Sequence, residues 1–133
     1  MTHAFRLKPG DDLKNEISVF VKTNKIEAGY IASAVGSLTD YHIRFADQEN
    51  GNKGSGHFEI LSLNGTVSIH GLHLHIMIAD HSGQTLGGHL LDGNIIYTTA
   101  EIIILEIAHM IFTREKDETT GWAELKIDDR RER

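Results

Sequence analysis

The sequence predicts an α+β domain in which antiparallel strands dominate and one helix stands out, and three observations lead there. Apolar residues recur at helical spacing convincingly in one place, at Leu13, Ile17, Phe20 and Val21. The remainder consists of short alternating or continuously apolar runs separated by Gly, Asn, Asp and Ser. One such separator, Asp80-His81-Ser82-Gly83, joins two runs as a hairpin turn would. The chain has 133 residues, 40% of them hydrophobic and 24% charged, which is the size and composition of a single soluble domain. No repeat or linker divides it, so residues 1–133 are read as one unit.

Taken in order, a strand near His3–Lys8 ends at Pro9-Gly10, and Asp11 or Asp12 then caps the helix, which Asn24 and Lys25 close. Tyr30–Val35 and Tyr41–Ala46 read as a strand pair interrupted at Gly36-Ser37. The polar stretch DQENGNKGSG follows as a hairpin connection, since its order does not match the phosphate-cradling pattern G-x-x-x-x-G-K-[ST]. Further strands are expected at Phe58–Leu63, Thr66–Ile69, Leu72–Ala79, Thr85–Leu91, Asn94–Phe112 and near Trp122–Ile127. Within the long one, Ile102-Ile103-Ile104-Leu105 is apolar on both faces and needs cover on both sides, from a helix, a closed sheet or a second subunit. The mixed charges of Asp128–Arg133 suit a solvated or frayed terminus.

The segment HGLHLHIMIADHSGQTLGGHLLDG carries the chemistry. His73 and His75 are two apart and so share a strand face. A hairpin symmetric about Ser82 places His75 directly opposite His89, with Cβ atoms roughly 4.5–5.5 Å apart. Three imidazoles then converge, and three nitrogen donors with one open position describe a catalytic rather than a closed structural zinc site. A register slip of one residue would send His89 to the opposite face. His70 has the wrong strand parity and His81 lies in the turn, so neither joins the set. Gly87-Gly88, just before His89, marks close approach by a ligand or another backbone. The simpler alternative is a kinked strand bearing structural histidines, nine of which occur in this chain.

Composition narrows the field further. With no cysteine there is no disulfide, thiolate metal site or cysteine nucleophile, so a metal would be held by imidazole and carboxylate. Nineteen acidic residues against thirteen basic ones disfavour a strong grip on nucleic acid, although Arg6, Lys8, Arg44, Lys53 and Arg114 are too dispersed to show whether they meet. No run is long enough to cross a bilayer, and the N-terminal MTHAFRLKPGDD lacks the apolar stretch of a secretory leader, so the expected location is the cytoplasm.

Three segments, AGYIASAVGSL at residues 28–38, GHFEILSLNG at 56–65 and HLHIMIADHSGQTLGGHLLDGN at 73–94, resemble the PPC (plant and prokaryote conserved) domain, in particular its stand-alone prokaryotic members. The likeness extends over nearly the whole chain. It implies an antiparallel, barrel-like sheet with few helices, assembled as a homotrimer. It also implies a fold similar to acetolactate decarboxylase, which holds a catalytic zinc with an H-x-H pair and a later histidine; the matching positions here are His73, His75 and His89.

Two functional classes follow. In one, the chain is a metal-dependent enzyme or binding protein for a small molecule, with zinc the first choice of metal. Such a site polarises a carbonyl or lowers the pKa of bound water to roughly 7. It also needs an acid or base, for which Glu101 is the first candidate and Glu106, His109, Glu59 and His57 are others. In the second class, the chain is a DNA-associated or transcription-associated trimeric module, as the family is customarily described. No AT-hook is present here, and the acidic balance leaves that reading on the resemblance alone.

Overall fold

A computed structural model describes residues 1–132. The chain runs β1 (Thr2–Leu7), α1 (Leu13–Thr23), β2 (Gly29–Arg44), β3 (Asn52–Ser68), β4 (Gly71–Ala79), β5 (Thr85–Leu90), β6 (Ile95–Glu106), β7 (Met110–Lys116) and β8 (Ala123–Asp129), then a short 3₁₀ turn, Arg130–Glu132. Strands β1–β6 form an antiparallel sheet in the order β1-β6-β2-β3-β4-β5. The C-terminal end of β2 also pairs with β5 through Ile43–Leu90 and Arg44–His89, so the sheet is partly closed. Strands β7 and β8 form a separate two-stranded ribbon. Among the described residues, no helix is long and apolar enough to cross a membrane.

The helix begins where the capping chemistry places it. Asp12 is the N-cap, and its Oδ1 accepts from the Asn15 N–H at 3.2 Å while its Oδ2 accepts from the Gly93 N–H at 2.7 Å. Leu13, Ile17 and Val21 are fully buried and pack with Ile26, Ile102 and Ile104 in the main core. One face of the isoleucine-rich run in β6 is thus covered within the chain. Its other face is not: Ile103 is 36% exposed, and Val35 on the adjoining β2 is 55% exposed.

Three strand boundaries differ from the expectation. Gly36-Ser37 does not interrupt the strand, because β2 is paired on one side with β3 and on the other with β6, and register shifts around Gly36–Leu38 absorb the irregularity. Likewise Phe58–Leu63 and Thr66–Ile69 are parts of one strand, β3, which starts at Asn52 inside the expected polar connection. Gly65 permits this continuity: its φ is +145°, and a Cβ there would collide with the His73 carbonyl of β4. Conversely, the expected strand Asn94–Phe112 is two, because the chain turns at residues 107–109 and β7 leaves the main sheet. The frayed terminus expected at Asp128–Arg133 includes strand and 3₁₀ residues up to Glu132, and Arg133 lies outside the described residues.

A buried polar clamp joins the loop after β5 to the end of β2. Asn94 is fully buried, and its Oδ1 accepts from the His42 N–H at 3.0 Å. Its Nδ2 donates to the carbonyls of His42 at 3.0 Å and Leu91 at 2.7 Å. One N–H and two carbonyls around a single amide leave only one consistent orientation for the side chain. Arg44 and its strand partner His89 lie just beyond this clamp.

Candidate metal centre

The hairpin that carries the histidines is closed by Asp80. Its Oδ1 accepts from the Ser82 N–H, the Gln84 N–H and the Ser82 hydroxyl, while Gly83 takes the positive φ of 82° that the turn requires. The resulting register pairs Ala79 with Thr85 and Ile76 with Gly88, and it sets His75 opposite His89, as a hairpin centred on Ser82 requires. Leu74 and Ile76 point into the core, so His73 and His75 project from the other face of β4.

One ligand atom from each of His73, His75 and His89 lies within 4.8 Å of the other two. A tetrahedral zinc with nitrogen donors at 2.0–2.1 Å needs them about 3.3 Å apart, a gap that small rotations of three rings can close. The ring centroids of His73 lie 5.0 Å from His75 and 5.4 Å from His89. The Nδ1 of His89 is buried and has no hydrogen-bond partner among the described residues. Buried polar atoms are ordinarily satisfied, so an orphaned ring nitrogen inside a histidine cluster fits a metal-donor set.

Their surroundings favour the neutral form of His89 and of His73. Burial, reinforced by the positive charge of Arg44, pushes the His89 pKa down to about 4. His73 is also lowered, by partial desolvation first and then by His75 and Arg114, with Glu124 opposing. A neutral imidazole is the form that can donate an electron pair to a cation.

The surroundings include groups that sequence reasoning did not bring together. A cleft of about 410 Å³ is lined by Arg44, His73, His89, Arg114, Trp122 and Glu124, together with neighbouring main chain. Arg44 and Arg114 were visible in the sequence only as dispersed charges; 69 residues of intervening chain hid their convergence. The remaining sequence candidates lie elsewhere. Glu101 is exposed on β6, with Arg6 and Val35 as its strand partners, and it is not in the histidine group. Glu106 bonds His3 at 2.8 Å, and His57 stacks on Tyr97 at 4.1 Å. Gly87 and Gly88 sit where a Cβ would meet the carbonyls of Ile76 and Arg44, so neighbouring strands approach both closely.

Comparison with known proteins agrees with this architecture. The family model described as the Plants and Prokaryotes Conserved (PCC) domain matches residues 1–108. Two curated relatives, each named Bifunctional protein GlmU and each from a Synechococcus strain, are 44% identical over 95% and 94% of this chain. The chain spans about one fifth (20%) of the length of those relatives. A structure of a hypothetical protein from Salmonella enterica superposes with a TM-score of 0.95 at 39% identity, covering 98% of this chain and 94% of that one. The structure of a metal-containing protein from Archaeoglobus fulgidus gives a TM-score of 0.80 at 30% identity, covering 95% and 93%. At 21% identity, a Bacteroides thetaiotaomicron protein provisionally named as DNA-binding shares the fold, with a TM-score of 0.84 over 94% of this chain and 91% of that one.

Proposed function

We propose that this chain, which belongs to the Plants and Prokaryotes Conserved (PCC) domain family, is a divalent-metal protein that binds a small molecule at a centre made by His73, His75 and His89. The observation that carries the proposal is the clustering of three imidazoles, one of which, His89, has a buried ring nitrogen with no hydrogen-bond partner among the described residues. The Archaeoglobus protein described as metal-containing adds support from within the same fold. Zinc is the metal of first choice, because imidazole donors and a three-ligand arrangement suit it. When bound there, it supplies Lewis acidity toward a ligand carbonyl.

The protein's own part is to hold the donors ready. The Asp80 turn sets the register that brings His75 and His89 face to face, and the β3–β4 pairing places Thr66 and Asn64 beside His73 and His75. Burial keeps His89 unprotonated at neutral pH. Elemental analysis after zinc loading tests the proposal. About one zinc per chain is expected, falling well below that in folded His75→Ala and His89→Ala. Full occupancy in both variants would place any metal elsewhere.

The assembly proposed with this function is a homotrimer. It is supported by the exposed apolar face that Val35 and Ile103 share with Tyr30 and Tyr97, which are 42% and 40% exposed. A face of this kind is better covered by a second copy than by water.

A further inference from the structure

We infer that the cleft beside the three imidazoles takes a small organic carboxylate, held between the guanidinium groups of Arg44 and Arg114 with its apolar part against Trp122. The inference rests on the metal reading above for the ligand's second point of attachment, and it names the class of molecule that site would receive.

One arginine pairs with a strand that carries an imidazole, and the other is anchored to the strand beside one. Arg44 ends β2 and is the strand partner of His89. Arg114, on β7, donates to the Thr66 hydroxyl at 3.1 Å, and Thr66 is the strand partner of His73. The Arg44 main chain and the Arg114 guanidinium are thus each placed beside the strand position of a candidate metal ligand or of its partner. Arg44 also lies over the Trp122 ring, 5.7 Å from its centroid, so an aromatic wall stands beside the charge.

Neither arginine forms an ion pair among the described residues. Among the described residues, Arg130 pairs with Glu27 and Arg131 with Asp129, whereas no carboxylate pairs with Arg44 or Arg114. In a chain with a formal charge of −6, two unpaired guanidinium groups lining one cleft stand out as an anion site. Planar guanidinium donors match the planar carboxylate in pairs. Glu124 in the same lining disfavours a dianion such as phosphate and leaves a monoanion as the better match. A volume of about 410 Å³ lies in the range of small-molecule sites.

The two walls have different origins. His73, His89 and Arg44 fall within the residues matched by the family model, whereas Arg114, Trp122 and Glu124 lie beyond residue 108 on the β7–β8 ribbon. The ribbon therefore acts as the specificity element, laid over a centre supplied by the family domain.

Trp122 is the chain's single tryptophan, so its emission reports on the cleft whether or not metal is present. The full-length protein would be titrated with mandelate, acetate, inorganic phosphate and the neutral methyl ester of mandelate, once zinc-loaded and once in chelator. Saturable changes with mandelate are expected below about 10 mM, with acetate weaker and with no response to the ester. Arg44→Met and Arg114→Met should each weaken mandelate binding about tenfold or more while leaving zinc content unchanged. If either fails to fold, the matching lysine variant replaces it, and loss of the planar fork should still weaken binding. Zinc bound at full occupancy with no mandelate response would overturn this inference and leave the metal centre intact. Tight binding of phosphate or of the ester, or wild-type affinity in the arginine variants, would overturn it too. Arginine-dependent mandelate binding in a protein that takes up no zinc would uphold the carboxylate site and remove the metal reading instead.

Discussion

Replacing Asn94 with alanine should destabilise the protein severely, and the structure sets the size of the effect. Asn94 is 0% exposed, and three hydrogen bonds converge on it. The His42 carbonyl also accepts from the Leu91 N–H at 3.2 Å and so keeps one partner after the substitution. The His42 N–H and the Leu91 carbonyl would lose their side-chain partner in the interior. At about 1–3 kcal/mol for each orphaned group, the loss is about 2–6 kcal/mol, or roughly 7–20 °C in Tm for a chain of this length. Asn24→Ala is the control, since the Asn24 side chain donates at an exposed helix end to the Phe20 carbonyl, which the Asn24 N–H also reaches. That change should remain below about 1 kcal/mol. Calorimetry or circular dichroism melting decides the matter. An Asn94→Ala shift no larger than that of Asn24→Ala would refute the clamp, and with it the claim that this amide holds the end of β2 beside the histidine hairpin.

Metal-free protein should lose stability as pH falls from about 6.5 to about 4, because the unfolded chain protonates His89 at its ordinary value while the folded chain resists until the lower one; melting in chelator should show the slope, and His89→Ala should flatten it. Lowered Asp40 and Asp129 act in a separate window, contributing stability that disappears only as pH drops below the ordinary carboxylate value. Sedimentation equilibrium should return about three times the 14.8 kDa chain mass, and Ile103→Asp, on the uncovered side of β6, should shift the protein to monomer while leaving zinc uptake in place. Duplex DNA should bind weakly and without sequence preference, since 19 acidic residues outnumber 13 basic ones; submicromolar, sequence-selective binding at physiological salt would restore the DNA-associated reading.

Two features that depend on a few neighbouring residues were legible in the sequence. Asp11 or Asp12 marked the helix start, and Asp12 is the residue that caps it, because a capping carboxylate acts within one turn. The Asp80–Gly83 turn determined the pairing of His75 with His89, because a tight hairpin propagates its register residue by residue along both strands. That carried the histidine cluster intact from pattern to structure. Only the tertiary structure decided what surrounds it. Arg44 reaches His89 through the β2–β5 pairing that partly closes the sheet, and Arg114 and Trp122 arrive on a ribbon that leaves the main sheet after β6. The unbroken course of β2 past Gly36-Ser37 was likewise hidden, since two flanking strands, and not local propensity, hold it extended. Pairings of this kind join residues far apart in the chain, and their register depends on the closure of the whole sheet, so no local spacing encodes them.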